Sequence, residues 1–339
     1  MKANVFYDID DFRYEEIKTP DISEHEVLVE MKACGVCGTD IHKAIFKTVD
    51  TPIVLGHEVS GKIIKKGGKV KKFEIGDRVA LAHHAPCMTC WECRHNHHSL
   101  CDEYLKTNLD PGGFSEIIRV PAVNVRLTML KIPDNMSYEE GAFMEPLSCC
   151  LRGYSSKIQS GDSVLILGSG PIGIIHTQIA KAFNASLIIN TDLVDYRLDI
   201  AEKFGAIGIN VKSQNVIEKV MELTDNKGTD MIIDTVGNKN AMIEAIKSAR
   251  KGATINVFAP FIKDSSINLN FDDIFFRELR IVGTYSSSPL DYPRVLRLIE
   301  NEIINVKNLI THNFQLKYLQ KAINLGHKAK KSLKIMINP

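Results

Sequence analysis

The stretch VLILGSGPIGIIH, residues 164–176, decides the fold. Val164–Leu167 is a short apolar run, and Gly168, Gly170 and Gly173 follow it as G-x-G-x-x-G. Beyond the glycines, Ile172, Ile175 and Ile179 recur at helical spacing. A strand turning this sharply into a helix is the phosphate corner of a dinucleotide site. Gly168 permits the tight turn, Gly170 lets the backbone approach a pyrophosphate, and Gly173 lets helix and strand pack closely. The first turn, with Pro171 and Ile172, adds helix N–H groups and the positive end of the helix dipole. A glycine-rich turn that binds nothing is the plainer reading of the same residues, and the context on either side argues against it. After the corner come SLIINTD (186–192), a helix through DYRLDIAEKFG (195–205), AIGINV (206–211) and a helix to Leu223. DMIIDTVG (230–237), a helix over 240–249 and GATINVFA (252–259) continue the alternation. Strand and helix in turn predict a doubly wound parallel sheet with helices on both faces. SLIINTD ends on Asp192, 24 residues past Gly168, where a carboxylate can accept from both ribose hydroxyls and repels a 2′-phosphate. Arg197 pulls the other way, since an arginine can accommodate that phosphate. The acid at the strand end favours NAD.

Upstream, the first 130 or so residues read as β-rich. EVLVEMKA (26–33), VSGKIIKK (59–66), GDRVALA (76–82) and FSEIIRV (114–120) alternate or are β-branched, between Gly/Pro clusters. The tail beyond about 290, ending SLKIMINP, holds another helix and a short strand that pattern alone does not place. At 339 residues the chain is long for one domain and suits two. Its 42 Lys and Arg against 41 Asp and Glu leave a formal charge of +1, which excludes a global basic field for nucleic acid or anionic membrane. No apolar run spans a bilayer, and the N-terminus MKANVFYDID lacks an apolar signal core, so the expected compartment is the cytoplasm. The basic turn KKGGKVKK (65–72) reads as solvated loop.

In a reducing compartment, eight clustered cysteines are thiols or metal ligands rather than disulfides. CMTCWECRHNHHSLC (87–101) spaces Cys87, Cys90, Cys93 and Cys101 as C-x2-C-x2-C-x7-C, a set able to close an all-sulfur tetrahedral shell around a structural zinc. A nucleic-acid zinc ribbon would need more positive charge than this segment has. An iron–sulfur cluster remains an alternative with four cysteines. The complete set leaves no duty for His83, His84, His95, His97 and His98, which read as solvated loop. CGVCGTDIH (34–42) is either a redox pair or part of a metal site, and its place after a strand in the β-rich half weakens the redox reading. LGHEVSG (55–61) supplies His57 and Glu58, and GAFMEPLSC (141–149) supplies Glu145. One thiolate, one imidazole and one or two carboxylates suit a zinc with an open position.

With CGVCGTDIH, GHE, the four-cysteine segment, EPL and GSGPIG…TDLVDYRL in this order and spacing, the chain resembles a zinc-dependent medium-chain dehydrogenase/reductase, most closely the sorbitol (polyol) and threonine 3-dehydrogenase branch. The resemblance covers essentially the full length. It implies a GroES-like β-rich catalytic domain over 1–150 and 290–339, carrying the zinc lobe 87–101, and a Rossmann NAD-binding domain over 151–289. It implies two zincs per chain, the catalytic one held by Cys37 and His57 with Glu58 and Glu145, one carboxylate direct and the other through bound water or by exchange. Cys34 would be a buried core thiol. Thr39 and His42 would relay the substrate proton by way of a ribose hydroxyl. Ile172, Asp192, Arg197, Val257, Phe258, Ala259, Thr284 and Tyr285 would contact the cofactor. The implied reaction moves a hydride from a secondary alcohol, such as a polyol or cyclitol, to NAD and gives the ketone, with zinc as Lewis acid. L-threonine 3-dehydrogenase and a general secondary-alcohol dehydrogenase are the alternatives. An idle NAD-binding module could dispense with the zinc ligands or the relay, and this chain keeps both. EYLKTNLDPGGF (103–114) and KAIF (43–46) would shape the substrate pocket, and relatives of this kind are homodimers or homotetramers.

Overall fold

The computed structural model describes residues 1–154, 158–261, 266–329 and 331–339. The chain divides into two compact units, Met1–Ser148 with Ser287–Pro339, and Cys149–Ser286.

The second unit is built on a six-stranded sheet in the order Ile207–Asn210, Leu187–Asp192, Ser163–Leu167, Thr229–Asp234, Ala249–Val257, Arg280–Gly283. Every pairing in it is parallel. Ile207, Ile189, Leu165, Ile232, Ile255 and Ile281 fall in one row across the six strands. The four central members are fully buried, while Ile207 and Ile281 on the two edges are 37% exposed. That gradient explains why the central strands read as unbroken apolar runs: helices cover a parallel sheet on both faces. The helix expected over 240–249 runs Lys239–Ser248, and the following strand begins directly at Ala249.

The first unit holds two sheets. Asp11–Glu16, Lys2–Asp8 and Ile53–Val54 form an antiparallel three-stranded sheet. The larger sheet runs Ile310–Gln315, Lys334–Asn338, Val27–Gly35, Glu58–Lys66, Arg78–Leu81, Met129–Lys131, with Ile117–Val120 also paired to Val27–Gly35. The tail is thereby placed. Its strand Ile310–Gln315 crosses through the helix Leu319–Lys328 to the parallel strand Lys334–Asn338, which then pairs antiparallel with Val27–Gly35. Gly35 consequently lies between Glu58 on one side and Met336 on the other. A core of Val29, Met31, Val59, Ile63, Phe73, Val79, Phe114 and Ile118 fills this unit. Among the described residues, no helix is long and apolar enough to cross a membrane.

Candidate active site and metal centres

Three elements of the first unit converge on one cluster. The strand Val27–Gly35 ends just before Cys37, which caps the helix Gly38–Phe46. His57 and Glu58 stand where the neighbouring strand begins. One ligand atom from each of Cys37, His57 and Glu58 lies within 4.8 Å of the others. Gly35 makes room for this: a Cβ there would collide with Glu58 Oε2 and with the side chain of Lys334.

Two residues that the sequence reading did not single out organise the cluster. Asp40 is buried and accepts from the N–H groups of Cys37 (3.0 Å) and Gly56 (3.2 Å), while its Oδ1 lies 3.3 Å from His57 Nδ1. Burial works against its charge, but His57 and those N–H donors hold the carboxyl below the usual aspartate range. His57 answers in kind. Burial would depress its pKa, yet Asp40 and Cys37 raise it well above the ordinary histidine value. With Nδ1 turned to Asp40, Nε2 is left for a metal, the arrangement of a carboxylate-oriented histidine ligand. Lys334, from the tail strand, is buried and ion-paired with Glu58 Oε2, whose charge holds the ammonium protonated against the cost of burial. Glu58 Oε1 is buried with no hydrogen-bond partner, an orphaned acceptor where a cation fits. Glu145 sits in the first turn of the helix Met144–Tyr154, buried, and outside this three-residue cluster. Cys34 is a fully buried thiol against Gly56 and Gly113, and burial raises its pKa well above the usual value. Thr39 and His42 are both exposed, one turn apart on the helix Gly38–Phe46, with His42 Nδ1 3.3 Å from the Thr48 hydroxyl.

The four sulfurs of Cys87, Cys90, Cys93 and Cys101 also lie within 4.8 Å of one another. Backbone N–H groups point at them: Thr89 and Cys90 donate to Cys87 Sγ (3.3 and 3.2 Å), Cys93 to Cys90 Sγ (3.5 Å), and Cys87 to Cys101 Sγ (3.3 Å). The Thr89 hydroxyl and the two N–H groups pull the Cys87 thiol down to about 6. Converging thiols surrounded by donors suit thiolates closed around zinc. The histidines nearby are not all solvated, contrary to expectation. His95 and His97 are exposed. His98 is buried with Nδ1 2.8 Å from the Ser288 hydroxyl, and His84 Nδ1 is 2.5 Å from the Thr107 carbonyl. The His83 ring lies tilted beside that of His57, centroids 4.7 Å apart, and burial lowers its pKa well below the usual value.

In the second unit the expected cofactor residues gather at the C-terminal ends of the parallel strands, where dinucleotides bind open α/β sheets. Gly168 has φ +96°, and a Cβ on Gly173 would strike the Gly168 carbonyl. At Gly170, which caps the helix Pro171–Ala182, a Cβ would meet nothing closer than Arg197 Nη1 at 3.9 Å. The protein's own packing therefore leaves the face of Gly170 open, as a cradle for a phosphate requires. Asp192 Oδ2 accepts from Ser169 N–H (2.9 Å), Oδ1 accepts from Val194 N–H (3.0 Å), and Arg197 Nη1 stands 3.8 Å from Oδ2. Phe258 and Ala259 each donate to the Asp234 carbonyl (3.1 and 3.0 Å), and Thr284 N–H donates to Val257 O (3.1 Å). Tyr285 is 55% exposed and its carbonyl accepts from Arg152 (3.0 Å). Ile172 lies in the first turn of the helix, beside the glycines.

Comparison with known proteins agrees with this geometry. The alcohol dehydrogenase GroES-like domain family matches residues 23–134, and the zinc-binding dehydrogenase family matches residues 171–301. A sorbitol dehydrogenase of Bacillus subtilis is 33% identical, with 100% of this chain and 97% of that protein covered. An L-threonine 3-dehydrogenase of Vibrio cholerae is 30% identical over 91% of each chain. The structure of galactitol-1-phosphate dehydrogenase from Escherichia coli superposes with a TM-score of 0.90 at 27% identity, over 100% of both chains.

Proposed function

From the premise that the chain belongs to the zinc-dependent medium-chain dehydrogenases, we propose that it oxidises a secondary hydroxyl of a polyol to the ketone with NAD. The observation that carries this is the cluster of Cys37, His57 and Glu58, with His57 locked by Asp40 and a buried Glu58 oxygen left unpartnered. Sorbitol and galactitol-1-phosphate dehydrogenases among the relatives support the polyol class.

In this reading Cys37, His57 and Glu58 hold the catalytic zinc, and Cys87, Cys90, Cys93 and Cys101 hold a structural one. Bound zinc supplies Lewis acidity that lowers the pKa of a substrate hydroxyl, and the nicotinamide supplies the hydride acceptor. Asp40 keeps His57 in one tautomer and one orientation. Lys334 takes one oxygen of Glu58 and leaves the other for the metal, with Glu145 in reserve as the second carboxylate. Thr39 accepts the substrate proton, and His42, open to solvent one turn on, delivers it to water. Gly168, Gly170, Pro171, Ile172 and Gly173 cradle the pyrophosphate, Asp192 takes the ribose hydroxyls beside Arg197, and Val257, Phe258, Ala259, Thr284 and Tyr285 flank the nicotinamide. Residues 1–150 with 290–339 form the catalytic domain, and 151–289 the cofactor domain.

The same reading has the chain working in the cytoplasm as a homo-oligomer. None of the eight cysteines is disulfide-bonded, which suits a reducing compartment. A second copy has a surface to use: among the described residues Arg280–Gly283 is an edge strand of its sheet, and Phe271, Phe275 and Phe276 on the preceding helix are 72–75% exposed. An edge strand is complementary to its own copy in antiparallel pairing, and three aromatics of this size supply much of the area a stable dimer buries. Sedimentation of the Phe275→Asp, Phe276→Asp variant as a monomer would support this contact, and an unchanged oligomer would sink it.

The deciding experiment is NADH formation on sorbitol, a cyclitol, threonine and simple secondary alcohols, with and without a zinc chelator. Chelator-sensitive turnover of a polyol is expected. Silence on every substrate, from protein holding two zincs and binding NAD, would overturn the reading.

A further inference from the structure

The basic segment KKGGKVKK (65–72) is mostly exposed, as a solvated loop would be, but it is neither loose nor isolated. Lys66 turns its ammonium inward, donating to the Phe73 carbonyl (3.0 Å) and pairing with Glu74 (2.6 Å). The Gly67 N–H donates to Glu26 O and the Lys69 N–H to Glu24 O, both at 2.9 Å, and a Cβ on Gly67 would collide with the Ser23 carbonyl. The loop is thereby laced to the stretch that leads into Val27–Gly35. Strand register brings a third segment to the same place. Val27 pairs with Lys66 on one side and with Val120 on the other, so the short helix Ala122–Leu127 after Ile117–Val120 joins the two loops. Gly35, beside the metal cluster, is the other end of the same strand, roughly 25 Å away at the rise of an extended chain.

Between these segments lies an open groove of about 600 Å³. Val70 and Val125, both part of the core, and Val123 give it apolar surface. His25, Lys69, Lys71, Lys72 and Arg126 line the rest, and among the described residues no carboxylate does. Lys69 is paired with Glu24 (2.6 Å). The other three cations have no carboxylate partner among the described residues. Lys71 donates to the Gly68 carbonyl (3.2 Å), Lys72 lies over the Phe73 ring, 5.2 Å from its centroid, and the Arg126 guanidinium has no partner there. Three such cations in one concavity repel one another, and an anion of several charges relieves that repulsion. An arginine fork with two lysine point charges suits phosphate oxygens. The volume is that of a small-molecule site and exceeds what phosphates alone require, while the valines offer an organic body something to rest on. We propose that this groove is a second ligand site, apart from the catalytic centre, for a small organic polyphosphate of the nucleoside triphosphate kind. The site does not depend on the dehydrogenase reading.

The test is calorimetric titration of the zinc-loaded protein with ATP, at saturating NADH so that the cofactor crevice is filled. One ATP per chain is expected, bound more weakly as salt rises, because exposed charges are screened. Pyrophosphate, which lacks the organic body, binds the same site less tightly. Arg126→Glu, and Lys71→Glu combined with Lys72→Glu, each weaken ATP about 10-fold, with NADH affinity and alcohol turnover unchanged. Lys65→Glu makes the same charge change in the same segment but outside the groove, and weakens ATP far less. Absence of ATP binding, or binding that survives Arg126→Glu, overturns the inference and leaves the dehydrogenase reading standing. Equal losses from Lys65→Glu and Arg126→Glu overturn it too, since diffuse charge and no built site would then hold the anion. Pyrophosphate bound as tightly as ATP, or attachment to acidic phospholipid vesicles without ATP binding, likewise rejects a site for a small organic polyphosphate.

Discussion

Asp40 is 1% exposed and still carries its charge, because the Cys37 and Gly56 N–H groups and His57 surround the carboxylate. Asp40→Asn keeps the shape and removes the charge that orients His57. Metal affinity at the Cys37–His57–Glu58 centre should then fall about 10- to 100-fold, the usual effect of losing an outer-shell carboxylate. Dialysis against a mild chelator should leave the variant with the four-cysteine zinc alone, while wild type keeps both. Equal zinc content in the two proteins would show that packing by itself orients His57. The sequence displays Asp40 openly, as the acid in the first turn of the helix that Cys37 caps, and that local reading hides its larger role. Its partners Gly56 and His57 lie sixteen and seventeen residues further along, so the link is tertiary. Lys334 was less legible still, since pattern gives no reason to pair a lysine in the tail with Glu58. Cys37, His57 and Glu58 could be picked out because metal ligation restricts residue type so tightly, and the fold brings their ligand atoms within 4.8 Å of one another. Glu145, proposed on the same ground, is buried in the first turn of the helix Met144–Tyr154, outside the three-residue cluster.

At the scale of elements, the phosphate corner is held from behind by a buried polar chain. Thr177 Oγ1 bonds to the Gly173 carbonyl (3.0 Å) and to Asn190 Oδ1 (2.9 Å), Asn190 Nδ2 donates to Ser169 Oγ (3.4 Å), and Ser169 Oγ donates to Thr191 O (3.1 Å). Ser169, Thr177 and Asn190 are fully buried, so water cannot replace a bond lost from the chain. Asn190→Leu takes one hydrogen bond from each hydroxyl and leaves their bonds to the Gly173 and Thr191 carbonyls, so about 1–2 kcal/mol of stability should be lost. Because the chain ends on the loop between Gly168 and Gly170, NADH affinity should fall as well, by roughly tenfold, in a fluorescence titration. A lower melting temperature with unchanged NADH affinity would make the network structural only. The corner itself was legible because strand, glycines and helix are contiguous in sequence. The histidines of residues 83–98 were not. His98 depends on Ser288, 190 residues away, and His84 on Thr107, and polar composition could not distinguish such pairings from solvation.

For the molecule as a whole, the alternation of strand and helix after residue 161 carried the parallel sheet, and the β-rich character of the first part carried the other unit. The return of the tail was invisible to pattern, because a strand such as Lys334–Asn338 shows its apolar residues and not its partner. A single buried group also leaves its mark on the stability of the second unit. His176 is fully buried among Tyr154 and Phe258, both ring nitrogens lack hydrogen-bond partners, and burial holds its pKa down to about 3. An unfolded histidine takes up its proton near pH 6.5, so between that value and about 3 the unfolded chain binds a proton that the folded chain refuses. Stability must therefore fall as the pH falls through this window. Between about pH 7.5 and about pH 5 this histidine alone should remove roughly 2 kcal/mol. His176→Leu removes the titration while retaining an apolar side chain. In urea unfolding at saturating zinc, wild type should lose stability across that range faster than the variant by this amount. Parallel loss in the two proteins would mean that His176 finds a proton acceptor in the folded state, and the burial argument would fail.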